Sequence, residues 1–345
     1  SGLWFGEMDA IDDEKGALIY DYYYLNELRG ESNEGLKLAK DIEFRVYRDK
    51  AVINLGTVTD DVVSIGTTAK DSDTENHISL ADNRVTIIDT VKYKNFTPGK
   101  AYRLFGNLMD KATGEPVTVN SKPVTSEKEF TPRDEDGTVD VTFTFDGSSL
   151  SGTDVVVFEK AYDVETETEV TKHEDINDEG QSVSIPKIGT KAEAADGKTN
   201  VIKPEKDQKI VDTVAYEKLI PGEEYELTTW LTKDGKKIWG TEVTKKFTAK
   251  EADGEVTAEL TFDASRHGGE DITVFEEVSL DHKLVAEHKD KDDKDQTVTV
   301  SKPPLDSPKT GDESSLLIWI AIAAVAAGLG GFITAREVRK RKDRD

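Results

Sequence analysis

The sequence contains no cysteine, so disulfide bonds, zinc–thiolate sites and thiol catalysis are excluded. Cations are scarce: 45 Lys and Arg stand against 70 Asp and Glu, for a formal net charge of −25. A polyanion repels nucleic acid phosphates and anionic lipids, so we expect neither nucleic acid nor a membrane surface to bind the main body. Asp290, Asp292 and Asp295 lie close together, but the Gly and Glu of a calcium-binding loop are missing around them. We therefore predict no metal site and no cofactor.

Long helical periodicity is absent between residues 60 and 300. Strand signals replace it: VDVTFTF at 139–145 and VTAELTF at 256–262 alternate apolar and polar residues. The dipeptides Pro98-Gly99 and Pro221-Gly222 are turn signals. Many short strands in units of about 110 residues indicate β-sandwiches, immunoglobulin-like or prealbumin-like. We predict an all-β chain of tandem sandwiches.

The middle of the chain is a repeat. The segment IGTTAKDSDTENHI that begins at Ile65 returns as IGTKAEAADGKTNVI from Ile188, 123 residues later, and TIIDTVKY returns as KIVDTVAY. Later segments also pair, including VVVFEKAYD with ITVFEEVSL and HEDINDEGQSVSI with HKDKDDKDQTVTV. This self-similarity predicts two copies of one module, at residues 61–186 and 187–302.

Each copy retains one set of polar residues: a Thr near its start, then Glu, His, Asp and Gln towards its end. In the first copy the set is Thr90, Glu159, His173, Asp178 and Gln181, and in the second it is Thr213, Glu276, His288, Asp293 and Gln296. The spacing from His to Asp is five and that from Asp to Gln is three in both copies. A His can serve as the base that a Thr hydroxyl needs, and two close carboxyls retain one proton between them. In a single copy, strand packing and a solvated turn would explain the same residues.

This set resembles the Thr–Gln ester-bond domains of Gram-positive adhesins, also called Val-x-Phe-Glu repeats, over about residues 65–301. The resemblance implies that the Thr hydroxyl attacks the Gln side-chain amide, that ammonia leaves, and that an ester joins the first strand to the last. The implied cross-links are Thr90–Gln181 and Thr213–Gln296. It also implies that a His activates each Thr, and that an acid pair polarises each amide, namely Glu159 with Asp178 and Glu276 with Asp293.

The C-terminal segment resembles a cell-wall sorting signal. Residues 303–315 form a linker, 316–334 an apolar stretch long enough to span a bilayer, and 335–345 a basic tail that stays cytoplasmic. Before the span stands Ser307-Pro308-Lys309-Thr310-Gly311, which resembles the motif Leu-Pro-any-Thr-Gly with Ser in place of Leu. The resemblance implies that sortase cleaves after Thr310 and joins the protein to peptidoglycan. The alternative is an ordinary C-terminal membrane anchor.

Residues 1–60 resemble the last strands of a prealbumin-like domain of pilins and collagen-adhesin stalks. There Glu27 would assist a Lys–Asn isopeptide bond with Asn54 as a possible acceptor, although the strand that carries the Lys is missing. The alternative is that Glu27 is a plain surface residue. The chain starts at Ser1 without a secretory signal, and we interpret it as a fragment of a longer precursor.

Together these features predict a secreted, cell-wall-anchored stalk that passes through a single-span membrane precursor and projects an N-terminal region able to bind a host ligand. The alternative is a sandwich that binds host surfaces directly, for which Trp230 and Trp239 are candidates. An enzyme acting on external substrates is disfavoured, because no nucleophile elbow or Gly-rich oxyanion loop accompanies the Thr.

Overall fold

The computed structural model describes residues 61–302 without a gap and, before them, residues 4–5, 17–18, 20–28, 30, 33, 36–47 and 55. The predicted sortase motif, membrane helix and basic tail lie outside these residues, as does Asn54. Within the described part of the chain, no helix has the length and apolar character needed to cross a bilayer. The chain divides into two units, Ser1–Ser301 and Lys302–Asp345.

The N-terminal part contains two small sheets. Its strands are β1 (Trp4–Phe5), β2 (Ala17–Leu18), β3 (Tyr22–Leu25) and β4 (Ile42–Arg45). Strands β1 and β2 pair in parallel, and β3 and β4 pair antiparallel.

The first module comprises ten strands and one 3-10 turn. The strands are β5 (Ser64–Asp71), β6 (Val85–Lys94), β7 (Tyr102–Asp110), β8 (Thr118–Val119), β9 (Lys122–Pro123), β10 (Thr125–Phe130), β11 (Gly137–Phe145), β12 (Thr153–Asp163), β13 (Glu169–His173) and β14 (Ser182–Ile185). The 3-10 turn Glu179–Gln181 directly precedes β14. One large sheet has the order β11-β6-β5, the other has the order β10-β7-β12-β13 with β14 also paired to β12, and β8 and β9 form a separate two-stranded sheet.

The second module repeats this plan. Its strands are β15 (Lys187–Ala194), β16 (Val201–Ile202), β17 (Gln208–Glu217), β18 (Glu224–Lys233), β19 (Lys236–Lys237), β20 (Val243–Thr248), β21 (Gly254–Phe262), β22 (Asp271–Leu280), β23 (Lys283–His288) and β24 (Thr297–Val300). One sheet has the order β15-β17-β21, and the other has the order β16-β24-β22-β18-β19, with β20 on β18 and β23 on β22. The all-β prediction with several sheets is confirmed.

Alternation of side chains along the strands builds each core. In β6 the odd-numbered residues from Val85 to Tyr93 are all buried, while the even-numbered residues are half-buried or exposed. Strand β17 shows the same pattern, with Ile210, Val214 and Tyr216 buried. Since successive side chains point to opposite faces, this alternation sends one face of each strand into the core. Among the inward positions, β6 and β17 each carry one Asp.

Both predicted Pro-Gly turns are present. Gly99 and Gly222 adopt φ angles of 81° and 91°, which lie in the left-handed region that side chains disfavour. Each turn connects two long strands that lie in different sheets, β6 to β7 and β17 to β18. The Gly residues therefore allow the chain to cross tightly from one sheet to the other.

The two modules are packed against each other. Ile78, from the loop between β5 and β6, is fully buried and belongs to an apolar cluster of second-module residues that includes Leu219. Lys218 Nζ lies 2.9 Å from Asp154 Oδ2 across the same junction. The junction thus combines apolar burial with an ion pair.

Candidate cross-linking site

Each module holds a buried polar site between its first strand and its last. In the first module, Thr67 lies on β5, and Gln181 ends the 3-10 turn that leads into β14. Both are buried, and a Cβ placed on Gly180 would lie 3.7 Å from the Thr67 carbonyl oxygen. The turn before Gln181 therefore packs directly on Thr67, so that the first and last strands of the module meet at this point.

The second module shows the contacts of the site most fully. Thr190 Oγ1 lies 3.4 Å from Glu276 Oε1, and Gln296 Nε2 lies 2.6 Å from Glu276 Oε2. Gln296 and Glu276 are fully buried. The two oxygens of one carboxyl group thus hold a half-buried Thr and a buried Gln beside each other.

A second carboxyl group faces the Glu in each module. Asp89 and Glu159 are both buried, and burial raises the pKa of Asp89 to about 7. Burial, followed by the charge of Asp89, raises the pKa of Glu159 to about 9. Interaction with Thr67 acts in the opposite direction on Asp89. At neutral pH Glu159 therefore carries a proton that it can donate.

The same pair recurs in the second module. Burial raises the pKa of Asp212, and burial together with the charge of Asp212 raises the pKa of Glu276 further. Two carboxyl groups that share a dry site cannot both ionise cheaply. The order within the pair matches that of the first module, with the Glu holding its proton more strongly.

A His–Asp pair flanks each site. His173 lies opposite Glu159 in the strand register, and its Nε2 is 3.1 Å from Asp178 Oδ2. His288 lies opposite Glu276, and its Nε2 is 3.3 Å from Asp293 Oδ2. Among the described residues, the buried Nδ1 atoms of both His rings have no hydrogen-bond partner. With Nε2–H donating to Asp, Nδ1 is left as the basic nitrogen.

Asp178 has a second role in positioning the site. Its Oδ1 accepts a hydrogen bond of 2.7 Å from Gly180 N, which caps the turn that carries Gln181. Asp293 Oδ1 likewise accepts a hydrogen bond of 2.8 Å from Asp295 N, just before Gln296. One carboxylate therefore fixes both the His ring and the turn that presents the Gln.

The structure does not bring the predicted Thr90 to Gln181. Thr90 points to the outer face of β6, where it lies between Thr68 and Asp140 and donates a hydrogen bond of 2.7 Å to Asp140 Oδ1. Thr213 occupies the same outward position on β17, between Lys191 and Thr257. The reason is strand alternation: the Asp before each of these Thr residues points inward, so the Thr points outward. Thr67 and Thr190 replace Thr90 and Thr213 at the site.

The acid pairs also differ from the prediction. Glu159 and Glu276 lie in the sites as expected, but their carboxyl partners are Asp89 and Asp212, whereas Asp178 and Asp293 hold the His rings. Asp89 and Asp212 were missed as site residues, although each stands at an inward position of a strand whose other inward residues are mostly apolar. A charged residue in that register is the signal that could have found them.

Glu27 accepts two hydrogen bonds from described residues. Its Oε1 accepts a hydrogen bond of 2.7 Å from Asn33 Nδ2, and its Oε2 accepts one of 2.7 Å from Ala39 N. The predicted acceptor Asn54 lies outside the described residues. The isopeptide interpretation therefore stays a prediction.

The two predicted aromatic candidates lie in different surroundings. Trp239, in the loop after β19, has 88% of its surface exposed. Trp230, on β18, is half-buried with Lys237 Nζ 4.9 Å and Lys289 Nζ 5.6 Å from its ring centroid.

The fold and these paired sites define tandem β-sandwich modules, each with a Thr, a buried Gln, a buried acid pair and a partly exposed His–Asp pair in one cluster. The sequence profile of the family described as "T-Q ester bond containing domain" matches residues 63–185 and 186–300. The chain belongs to this family.

Comparison with other proteins adds little to the family match. No curated protein matches the chain. A bacterial adhesin from Mobiluncus mulieris that contains disulfide, isopeptide and ester cross-links is similar over 62% of this chain and 80% of its own, with 17% identity and a TM-score of 0.28. Red sea bream transglutaminase is similar over 69% of this chain and 31% of its own, with 12% identity and a TM-score of 0.25. At TM-scores this low, neither similarity bears on function.

Proposed function

We propose that the chain is a structural stalk of a bacterial surface protein, and that each module closes itself with one ester bond, Thr67–Gln181 in the first and Thr190–Gln296 in the second. Family membership and the paired buried sites support this proposal. The single observation that carries it is the pair of contacts made by Glu276, whose two carboxyl oxygens contact Thr190 and Gln296.

The reaction follows from the groups present. The Thr Oγ attacks the Gln Cδ, a new O–C bond forms, and the C–N bond of the amide breaks. His Nδ1 takes the hydroxyl proton and passes it to the leaving nitrogen, which departs as ammonia. The protonated Glu, whose carboxyl group contacts the Gln amide, stabilises the negative charge that develops on the amide during attack.

Burial restricts each site to one turnover. Thr67 and Gln181 belong to the same chain and are buried, so the product stays in the site as part of the fold. The arrangement resembles a hydrolase triad in its roles, but no external substrate is needed. We therefore assign the module to self-modification and not to enzymatic turnover.

The test is mass spectrometry of the chain, with peptide mapping to report each module separately. We expect the chain to lack one ammonia per module relative to its sequence. Thr67→Val should restore the ammonia in the first module only, and Thr190→Val in the second only, because valine keeps the shape and removes the nucleophile. Thr90→Val is the matched control and should leave both losses in place. If both modules of the unaltered chain had the mass calculated from their sequence, without loss of ammonia, the proposal would be refuted.

The proposal also includes anchoring to the cell wall, which depends on residues outside the described part of the chain. In it, sortase cleaves between Thr310 and Gly311 after the apolar segment has held the precursor in the membrane, and peptidoglycan is the final partner. The protein would then be exposed at the cell surface, where its lack of cysteine leaves the ester as the covalent constraint. A region before the described modules would contact a host ligand.

Direct ligand binding by the modules is a second candidate function. The observation that favours it is the 88% exposure of Trp239 on a loop tip, since a large aromatic side chain in that position offers contact area.

A further inference from the structure

The two sites differ at one position of the strand beside the Glu. Gly106 lies opposite Glu159 in the pairing of β7 with β12, and Thr229 lies opposite Glu276 in the pairing of β18 with β22. Gly106 and Thr229 are 123 residues apart and thus equivalent in the repeat. The second module therefore places a hydroxyl group where the first has no side chain.

The first module has no room for such a side chain. A Cβ on Gly106 would lie 2.4 Å from Glu159 Oε1 and 2.4 Å from the Cζ atom of Phe143. Phe143 pairs with Ile87 in the first module, and Leu260 pairs with Ile210, the equivalent of Ile87, in the second. Leu260 therefore stands in place of Phe143. The second module thus has a larger residue in place of the glycine and a smaller residue in place of the phenylalanine. The two differences lie on different strands and compensate each other in volume.

Thr229 contacts the acid pair. It is fully buried, and its Oγ1 lies 3.5 Å from Asp212 Oδ2 as a donor. Only Oδ1 of Asp212 lacks a hydrogen-bond partner among the described residues, whereas both carboxyl oxygens of Asp89 lack one in the first module. Thr67 and Thr190 interact with the Asp of their own modules, and Thr229 adds a second hydroxyl group beside Asp212 at the position where the first module has Gly106.

We propose that Thr229 is a positioning residue that holds Asp212 in its ionised form and so keeps the single proton of the pair on Glu276 during cross-linking. The inference rests on the proposed ester chemistry and assigns to one of the two sites a residue that controls which member of the acid pair holds the proton. An ionised Asp212 stabilises the positive charge that develops on the leaving nitrogen, and a neutral Asp212 does not. The titratable group that interacts with Asp212 is Glu276 on β22, and His288 on β23 lies opposite Glu276 in the strand register.

The experiment follows ester formation in the full chain made by cell-free synthesis, transferred to buffers of different pH and sampled over time in denaturant. Peptide masses report each module separately, so the first module is an internal control. We expect Thr229→Val to slow ammonia loss in the second module about tenfold at acidic pH, as removal of a donor to a charged acceptor predicts. The deficit should shrink as the pH rises, because Asp212 then ionises without help. Thr229→Ser should restore the rate.

Three outcomes would overturn the inference. They are an unchanged rate in Thr229→Val, an equal deficit at all pH values, which indicates altered packing, and failure of Thr229→Ser to restore the rate, which indicates that the methyl group of Thr229 is needed. Failure of the proposed function is distinguishable, because the unaltered chain would then keep full mass in both modules.

Discussion

At the scale of single residues, each site depends on carboxyl groups that are expensive to bury. Glu159 and Asp89 lie in the core, and burial together with the charge of Asp89 favours the protonated form of Glu159. Desolvation keeps Glu159 protonated, so that it can act as a proton donor. The same desolvation destabilises the folded state once Glu159 ionises. Burial of the carboxyl group therefore underlies both the reactivity of the site and the instability of the fold, and both depend on pH.

Without its esters, the protein should lose stability as the pH rises. The pKa of Glu159 is raised from 4.5 to about 9, so the folded state binds more protons than the unfolded state between these values. Its contribution to stability is complete below pH 4.5 and is lost as the pH rises through about 9. For Thr67→Val combined with Thr190→Val, we expect the free energy of unfolding to fall by a few kcal/mol between pH 5 and pH 9, as measured by urea denaturation.

Replacement of both acids provides the control. Glu159→Gln and Glu276→Gln, added to the same background, keep the side-chain shape and remove the titration. The decline between pH 5 and pH 9 should then become much smaller. An equally steep decline would place the pH dependence on other groups.

At the scale of elements, the decisive feature is the meeting of the first and last strands. Strand β5 is an edge strand of the three-stranded sheet, while β14 belongs to the opposite sheet. Thr67 and Gln181 are 114 residues apart, and Thr190 and Gln296 are 106 residues apart. Closure of loops of this size contributes roughly 4–5 kcal/mol in the chain-entropy model, which is comparable with the stability of a small domain.

The junction between the modules should be sensitive to one apolar side chain. Ile78 is fully buried among second-module residues, so Ile78→Ala should remove about 2–4 kcal/mol of packing energy. We expect hydrogen exchange of amides in β18 and β22 to accelerate, although the substitution lies in the first module.

The repeat supplies a matched control for this substitution. Val201 is the equivalent residue in the second module, but 49% of its surface is exposed. Val201→Ala should change the free energy of unfolding by less than about 0.5 kcal/mol. Acceleration confined to first-module amides in Ile78→Ala would contradict a shared apolar cluster.

At the scale of the whole molecule, the proposed esters determine how the chain carries force. A load applied at the two ends reaches the first module at β5 and leaves it at β14, which the ester joins directly. The 113 residues between Thr67 and Gln181 are then bypassed, and the strands between them need not separate. A stalk built in this way resists extension without relying on hydrogen bonds alone.

Single-molecule pulling tests this consequence. The unaltered chain should show no extension from inside either closed loop. Thr67→Val should release the first loop and add roughly 400 Å of contour length, at about 3.5 Å for each of its residues. Thr90→Val should extend like the unaltered chain, and an added length in that variant would contradict the assignment of Thr67.

The sequence by itself determined the all-β class and the repeat, and it predicted the Glu, His and Gln residues that the structure brings together in each module, because strand alternation and retained spacing are local properties that a repeat displays twice. It also placed a Thr and an Asp near each site, but assigned the wrong members. Only the tertiary structure decided that Thr67 and Asp89 face the core while Thr90 faces outward. The reason is physical: adjacent residues on a strand point to opposite faces, so a shift of one position moves a side chain from the buried site to the surface.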